Sequence, residues 1–92
     1  MAKANLSKKE MSLIKQVLGL CIRLNEIQSE WTYGFDYYLE FKVTKWKRMG
    51  LTRVDIGEND IYHSDLYLDA RFEKLKMLVK TLRKEFGLYE GN

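Results

Sequence analysis

Ninety-two residues, 46% of them hydrophobic and 32% charged, are enough for one folded domain and leave no room for a second. Two Trp, six Tyr and four Phe exclude a disordered chain, and a net charge of +3 falls short of the dense basic character that by itself signals a nucleic-acid binder. The lone Cys21 makes no internal disulfide, the lysine-bearing N-terminus has no apolar run behind it, and the stretch Val17 to Ile22 stops at Arg23, so neither leader nor membrane span is expected and the cytoplasm is the expected setting.

A capping box opens the first helix. Ser7 is followed by Glu10, so that the serine oxygen can accept the Glu10 amide while the glutamate reaches back to the Ser7 amide, with Leu6 and Met11 at the staple positions. The spacing predicts a helix from Lys8, with Leu13, Val17, Leu20, Leu24 and Ile27 on one stripe and Met11, Ile14, Leu18, Cys21 and Ile22 on a second, about 100° round. A helix apolar over so wide an arc touches two things. The sheet and the other helix are one pair of candidates; a homodimer through Ile14, Leu18 and Ile22 is the alternative.

From Tyr33 the period changes to two. Tyr33, Phe35, Tyr37, Leu39, Phe41 and Val43 alternate with a mostly polar set, which predicts one long strand to about Arg48 with a buried odd face, and Gly34 as a bulge or bend near its start. Gly50 supplies a turn, after which Thr52, Val54 and Ile56 oppose Leu51, Arg53 and Asp55, completing an antiparallel hairpin. The connector 57–65 is turn-rich, with space for a short third strand at Ile61 to His63.

Ser64 or Asp65 caps the second helix, whose stripe is Leu68, Phe72, Leu75, Val79, Leu82 and Phe86, with Gly87 as its left-handed stop. The remainder of that helix is charged. The order α-β-β-α with two apolar helix stripes predicts an α+β two-layer sandwich, residues 1–92 forming a single domain with both helices on the odd face of the hairpin. The expected core is Leu13, Val17, Leu20, Leu24, Phe41, Val43, Leu75, Val79 and Leu82.

Catalytic signals are thin. Asp55, Glu58, Asp60, His63 and Asp65 hold oxygen and nitrogen donors that could ligate a cation, but their spacing matches no calcium loop and Asp and Asn favour turns for local reasons, so no metal and no cofactor is expected. Glu40 and Lys42, with Asp36 four residues earlier, resemble the E-x-K half of the PD-(D/E)xK nucleases. That resemblance implies a magnesium-binding carboxylate and a lysine beside the attacking water, although that family brings its aspartate from a separate strand. His63 has no orienting partner in sight, Cys21 sits in an apolar stripe, and no phosphate-binding or nucleophile-elbow glycine motif occurs. The expectation is a protein that is not an enzyme.

The even strand face carries Tyr38, Lys42 and Trp46 at steps of four, about 26 Å from end to end on an extended strand. Lys45, Lys47, Arg48 and Arg53 surround its far end. Trp, Tyr and Arg anchor interfaces, so the expected contact residues are Tyr38, Lys42, Trp46, Arg48 and Arg53. A protein partner fits better than nucleic acid because Asp36, Glu40 and Asp55 interrupt the basic surface. Stoichiometric binding follows, of the adaptor or inhibitor kind found among small phage and mobile-element proteins. The alternative is a nucleic-acid binder stacking bases on the same aromatic residues.

Overall fold

The computed structural model describes residues 6–37, 41–56 and 64–90, giving only the backbone for 64–70 and 90. Its elements are α1 (Lys8–Ile27), β1 (Trp31–Asp36), β2 (Lys42–Lys47), β3 (Arg53–Ile56) and α2 (Ser64–Glu90). The strands form an antiparallel sheet in the order β1-β2-β3, and both helices pack on one of its faces. The chain is thus the α+β two-layer sandwich its patterning implies, with a third strand.

That strand arises where none was expected. The stretch 33–48 is itself a hairpin: Asp36 lies opposite Lys42 and Trp31 opposite Lys47, with the reversal between them. Phe41 makes the reversal possible by taking a left-handed backbone, φ 52°, and its ring is buried in the core. Holding a residue with a Cβ there costs about 1–2 kcal/mol, which burial of a phenylalanine offsets. The third strand proposed at Ile61 to His63 lies outside the described residues.

Gly34 is no bulge. It sits in unbroken register opposite Thr44, and a Cβ on it would stand 3.3 Å from the Trp46 ring, so glycine here gives the indole a place to lie on the backbone of β1. At the other turn Gly50, φ 125°, fills the position that a side chain would strain, and the Lys47 amide donates to the Thr52 carbonyl at 2.9 Å.

The capping box forms on both sides. The Glu10 amide donates to Ser7 Oγ at 3.1 Å and the Ser7 amide to Glu10 Oε1 at 3.0 Å. The deepest line of α1 is Ile14, Val17, Cys21 and Leu24, which meets Leu75, Leu78, Val79 and Leu82 of α2 and Tyr33, Phe41 and Val43 of the sheet. Leu13 and Leu20 lie only half-buried at the edge of this core, because α1 is rotated so that Ile14 and Cys21, not they, point at α2 and the sheet. The same rotation corrects the proposed dimer face: Ile14 is 4% exposed inside its own chain, Leu18 packs half-buried against the core, and Ile22 alone of the three stands in solvent at 57%.

Gly87 does not end α2. The helix continues to Glu90 because Tyr89 packs back against the core, beside the hydroxyl of Tyr33. A bidentate ion pair ties the helices together near the start of α1, with Arg71 Nε donating to Glu10 Oε2 at 2.9 Å and Nη2 to Oε1 at 3.0 Å. Both side chains are about nine-tenths buried, and the Arg71 hydrogen bonds hold the Glu10 carboxyl below its ordinary range despite that burial.

Candidate binding face of the sheet

Cross-strand partners share a face, so the register sorts the sheet without ambiguity. Tyr33, Lys45 and Val54 are mutual neighbours on the helix side, and Thr32, Trp46 and Arg53 on the open side. Lys42, Trp46 and Arg53 therefore occupy one face, away from the helices. Tyr38 lies outside the described residues; Lys42 and Trp46 stand together on β2, antiparallel to the strand that ends at Asp36.

Two of the basic residues expected around Trp46 belong to the other side. Lys45 crosses to the helices, where its ammonium lies 3.1 Å from Glu85 and 4.5 Å from the centre of the Trp31 ring. The Tyr33 hydroxyl donates to the same carboxylate at 2.5 Å, and burial together with that negative neighbour pushes the phenol well above its ordinary range. Lys47 pairs with Glu30 at 3.2 Å.

On the open face Asp55 is the hub. It accepts from Thr44 Oγ1 at 3.0 Å and Arg53 Nε at 3.2 Å, and it lies 3.3 Å from Lys42 Nζ. Partial burial opposes its ionisation, yet the hydrogen bonds from Arg53, Thr44 and Lys42 together hold the carboxyl below its ordinary range. Arg48 reaches back over β1, donating from Nε to Thr32 Oγ1 at 2.8 Å and from Nη2 to the Asn25 carbonyl at 3.3 Å. All three basic residues of this face are thus held in place by their own chain.

Beside them lies apolar surface. Trp46 is 43% exposed on its glycine seat, and the β2–β3 turn adds Met49 at 89% and Leu51 at 100%. Met49 and Leu51 are not among the expected contact residues; their sequence signal is two large apolar side chains flanking a turn glycine, where polar residues are the rule.

The remaining chemical candidates fare unevenly. Of the acidic connector only Asp55 has a described side chain, and it is engaged as above; among the described residues no three of His, Cys, Asp and Glu come together. Asp36 stands on a neighbouring strand directly opposite Lys42, one feature of the nuclease arrangement, while Glu40 lies outside the described residues. Burial pushes the Cys21 thiol up to about 12. The native protein at pH 8 is therefore expected to leave its one thiol unmodified by a disulfide-exchange dye, with full reaction on adding denaturant; prompt native reactivity would show that Cys21 opens to solvent.

A second surface lies on the helices. Two adjoining grooves that share Gln16 are lined by Lys8 and Lys15 of α1 and by Lys76, Lys80, Arg83 and Lys84 of α2; among the described residues no acid lines either, although Lys76 pairs with Glu73 at 3.1 Å. No described helix is long and apolar enough to cross a membrane. Neither a protein-family model, nor a curated protein, nor a solved structure matches this chain.

Proposed function

We propose that this chain is a non-enzymatic binding module that holds a protein partner on the open face of its sheet, with Trp46, Met49 and Leu51 as anchors and Lys42, Arg48 and Arg53 at the rim. The observation that carries the reading is a seated, half-exposed tryptophan on the strand that leads directly into a turn bearing two almost fully exposed apolar residues, with Arg53 paired opposite the tryptophan. Tyr38 completes the proposed contact set. The basic groups are already tied to Asp55, Thr32 and a backbone carbonyl, so they favour ordered hydrogen bonding to a protein over the mobile neutralisation of phosphates.

The test pairs Trp46→Ala with Leu51→Asp. Leu51 stands wholly in solvent and Trp46 is 43% exposed and outside the core, so the melting temperature is expected to stay within a few degrees of the parent, while binding of the partner recovered from native host lysate is lost, since anchor truncations cost about 2 kcal/mol or more each. Nuclease treatment of the lysate leaves recovery unchanged. A double variant that still binds moves the contact elsewhere on the chain.

A second reading has its own observation. Six of the sixteen Lys and Arg line the two helix grooves, leaving ten to face thirteen carboxylates over the rest of the chain. A polyanion, nucleic acid included, finds its complement there and not on the strands. Duplex DNA bound in this way would lose affinity about a thousandfold between 50 and 200 mM salt, and would be released by Lys80→Glu with Arg83→Glu but not by the Trp46 and Leu51 changes.

A further inference from the structure

The two edges of the sheet are treated differently. In β1 the backbone groups of Trp31 and Tyr33 point away from β2, and side chains of the α1 end close them: Asn25 donates to the Tyr33 carbonyl at 3.0 Å and accepts from its amide at 2.7 Å, while Gln28 donates to the Trp31 carbonyl and accepts from its amide at 2.8 Å. An exposed strand edge is a template for pairing, and here two amide side chains stand in for the missing strand. At the other edge no equivalent occurs among the described residues. Lys47 donates to Thr52 across the β2–β3 ladder, so by alternation Thr52, Val54 and Ile56 direct their backbone groups inward and Arg53 and Asp55 direct theirs outward. Among the described residues no group meets those outward amides and carbonyls.

We infer that the β3 edge pairs with a second copy of itself, antiparallel about a dyad at Val54, so that Arg53 of each chain lies opposite Asp55 of the other. The segment Arg53-Val54-Asp55 is self-complementary in that register and in no neighbouring one. The residues facing each other are those whose backbone groups point outward, so each Arg53–Asp55 pair exchanges both N–H···O bonds. Their side chains share the open face, where a cation meets an anion across the junction. In the isolated chain Arg53 is 55% exposed at the side chain and leans along its own strand to Asp55 at 3.2 Å, a contact it can exchange for the same group on the partner. Val54, 39% exposed on the helix side, meets its own symmetry mate. One sheet of order β1-β2-β3-β3-β2-β1 results, closed at both ends by the Asn25 and Gln28 amides.

The dyad is normal to the sheet, so both open faces look the same way and form one surface, with the two Trp46 side chains about 16 Å apart from the usual strand spacing and rise. The pairing needs no other protein, and its test is separate from that of partner binding. Sedimentation of the purified chain at about 50 μM is expected to show a dimer. Arg53→Asp sets acid against acid and gives a folded monomer, as does Asp55→Arg with the signs reversed; mixing the two variants, one acidic at both positions and the other basic at both, restores a dimer containing one of each. Should Asp55→Arg fail to fold through loss of its Lys42 and Thr44 bonds, Arg53→Pro serves instead, since it deletes an outward amide and leaves the β2–β3 ladder intact. A parent chain monomeric at several hundred micromolar, or dimers that survive Arg53→Asp and Arg53→Pro, overturns the inference.

Discussion

Replacing Glu10 by alanine is expected to destabilise the chain by about 3–5 kcal/mol, because it strands the Arg71 guanidinium, about nine-tenths buried, without its bidentate carboxylate. Arg71→Ala is expected to cost a similar amount by leaving the acid behind. The double change Glu10→Leu with Arg71→Met removes both charges and keeps apolar volume, and is expected to recover most of the loss, since a buried pair offsets little more than its own desolvation. Chemical denaturation of the four proteins gives the comparison. A double variant as weak as either single one would mean that the capping role of Glu10, not its charge, dominates.

The same pair sets an acid limit. The folded Glu10 carboxyl ionises below its ordinary value of 4.5, so the folded state binds fewer protons than the unfolded chain in that window. Its contribution is complete above about pH 5 and is lost as pH falls through the depressed folded value. Asp55, depressed from 3.8, adds to the loss at the lower end. Melting temperatures from pH 7 to pH 3 should therefore fall less steeply in the Glu10→Leu, Arg71→Met chain than in the parent, and parallel curves would remove Glu10 as the source.

Leu75→Ala is expected to cost about 2–5 kcal/mol, the range for a leucine wholly enclosed in a core. Leu75 is 0% exposed between α1 and the sheet. Leu20→Ala is the internal control. Its side chain is half-buried at the core's margin and should cost less than half as much; equal losses would return Leu20 to the centre of the core and displace Cys21.

Much of the fold follows from alternation, and the reason it survives an unforeseen turn is arithmetic. Asp36 pairs with Lys42, both even, so the residues between them are odd in number and the reversal leaves odd positions on one face and even on the other. Tyr33 and Val43 are buried together whether 33–48 runs straight or doubles back. The reversal itself is silent in sequence: no glycine or proline occurs from Phe35 to Arg48, and the left-handed position falls on Phe41, where backbone preference points to Gly or Asn. Strand parity puts Lys45 and Lys47 on the odd, helix-facing side, but no local rule supplies the carboxylates that meet their charge there. Their partners, Glu85 and Glu30, lie on α2 and before β1, and only the folded chain brings them near. The broad apolar arc of α1 likewise fixes that a face is buried but not which of two adjacent rows lies deepest, and Tyr89 extends α2 past a glycine that composition marks as its end. Of the proposed binding face, Lys42, Trp46, Arg48 and Arg53 were legible from strand parity; Met49 and Leu51 were not, since a turn gives apolar residues no periodicity to reveal them.

The amide closures on β1 also bear on the order of assembly. Asn25 meets Tyr33 eight residues along the chain and Gln28 meets Trp31 after three, whereas Glu10 and Arg71 are separated by sixty-one. Closing a short loop costs little chain entropy and closing a long one costs more. The end of α1 and the start of the sheet thus form a unit that can hold its shape before α2 arrives, and α2 then closes over a surface whose outer strand already has its backbone groups engaged.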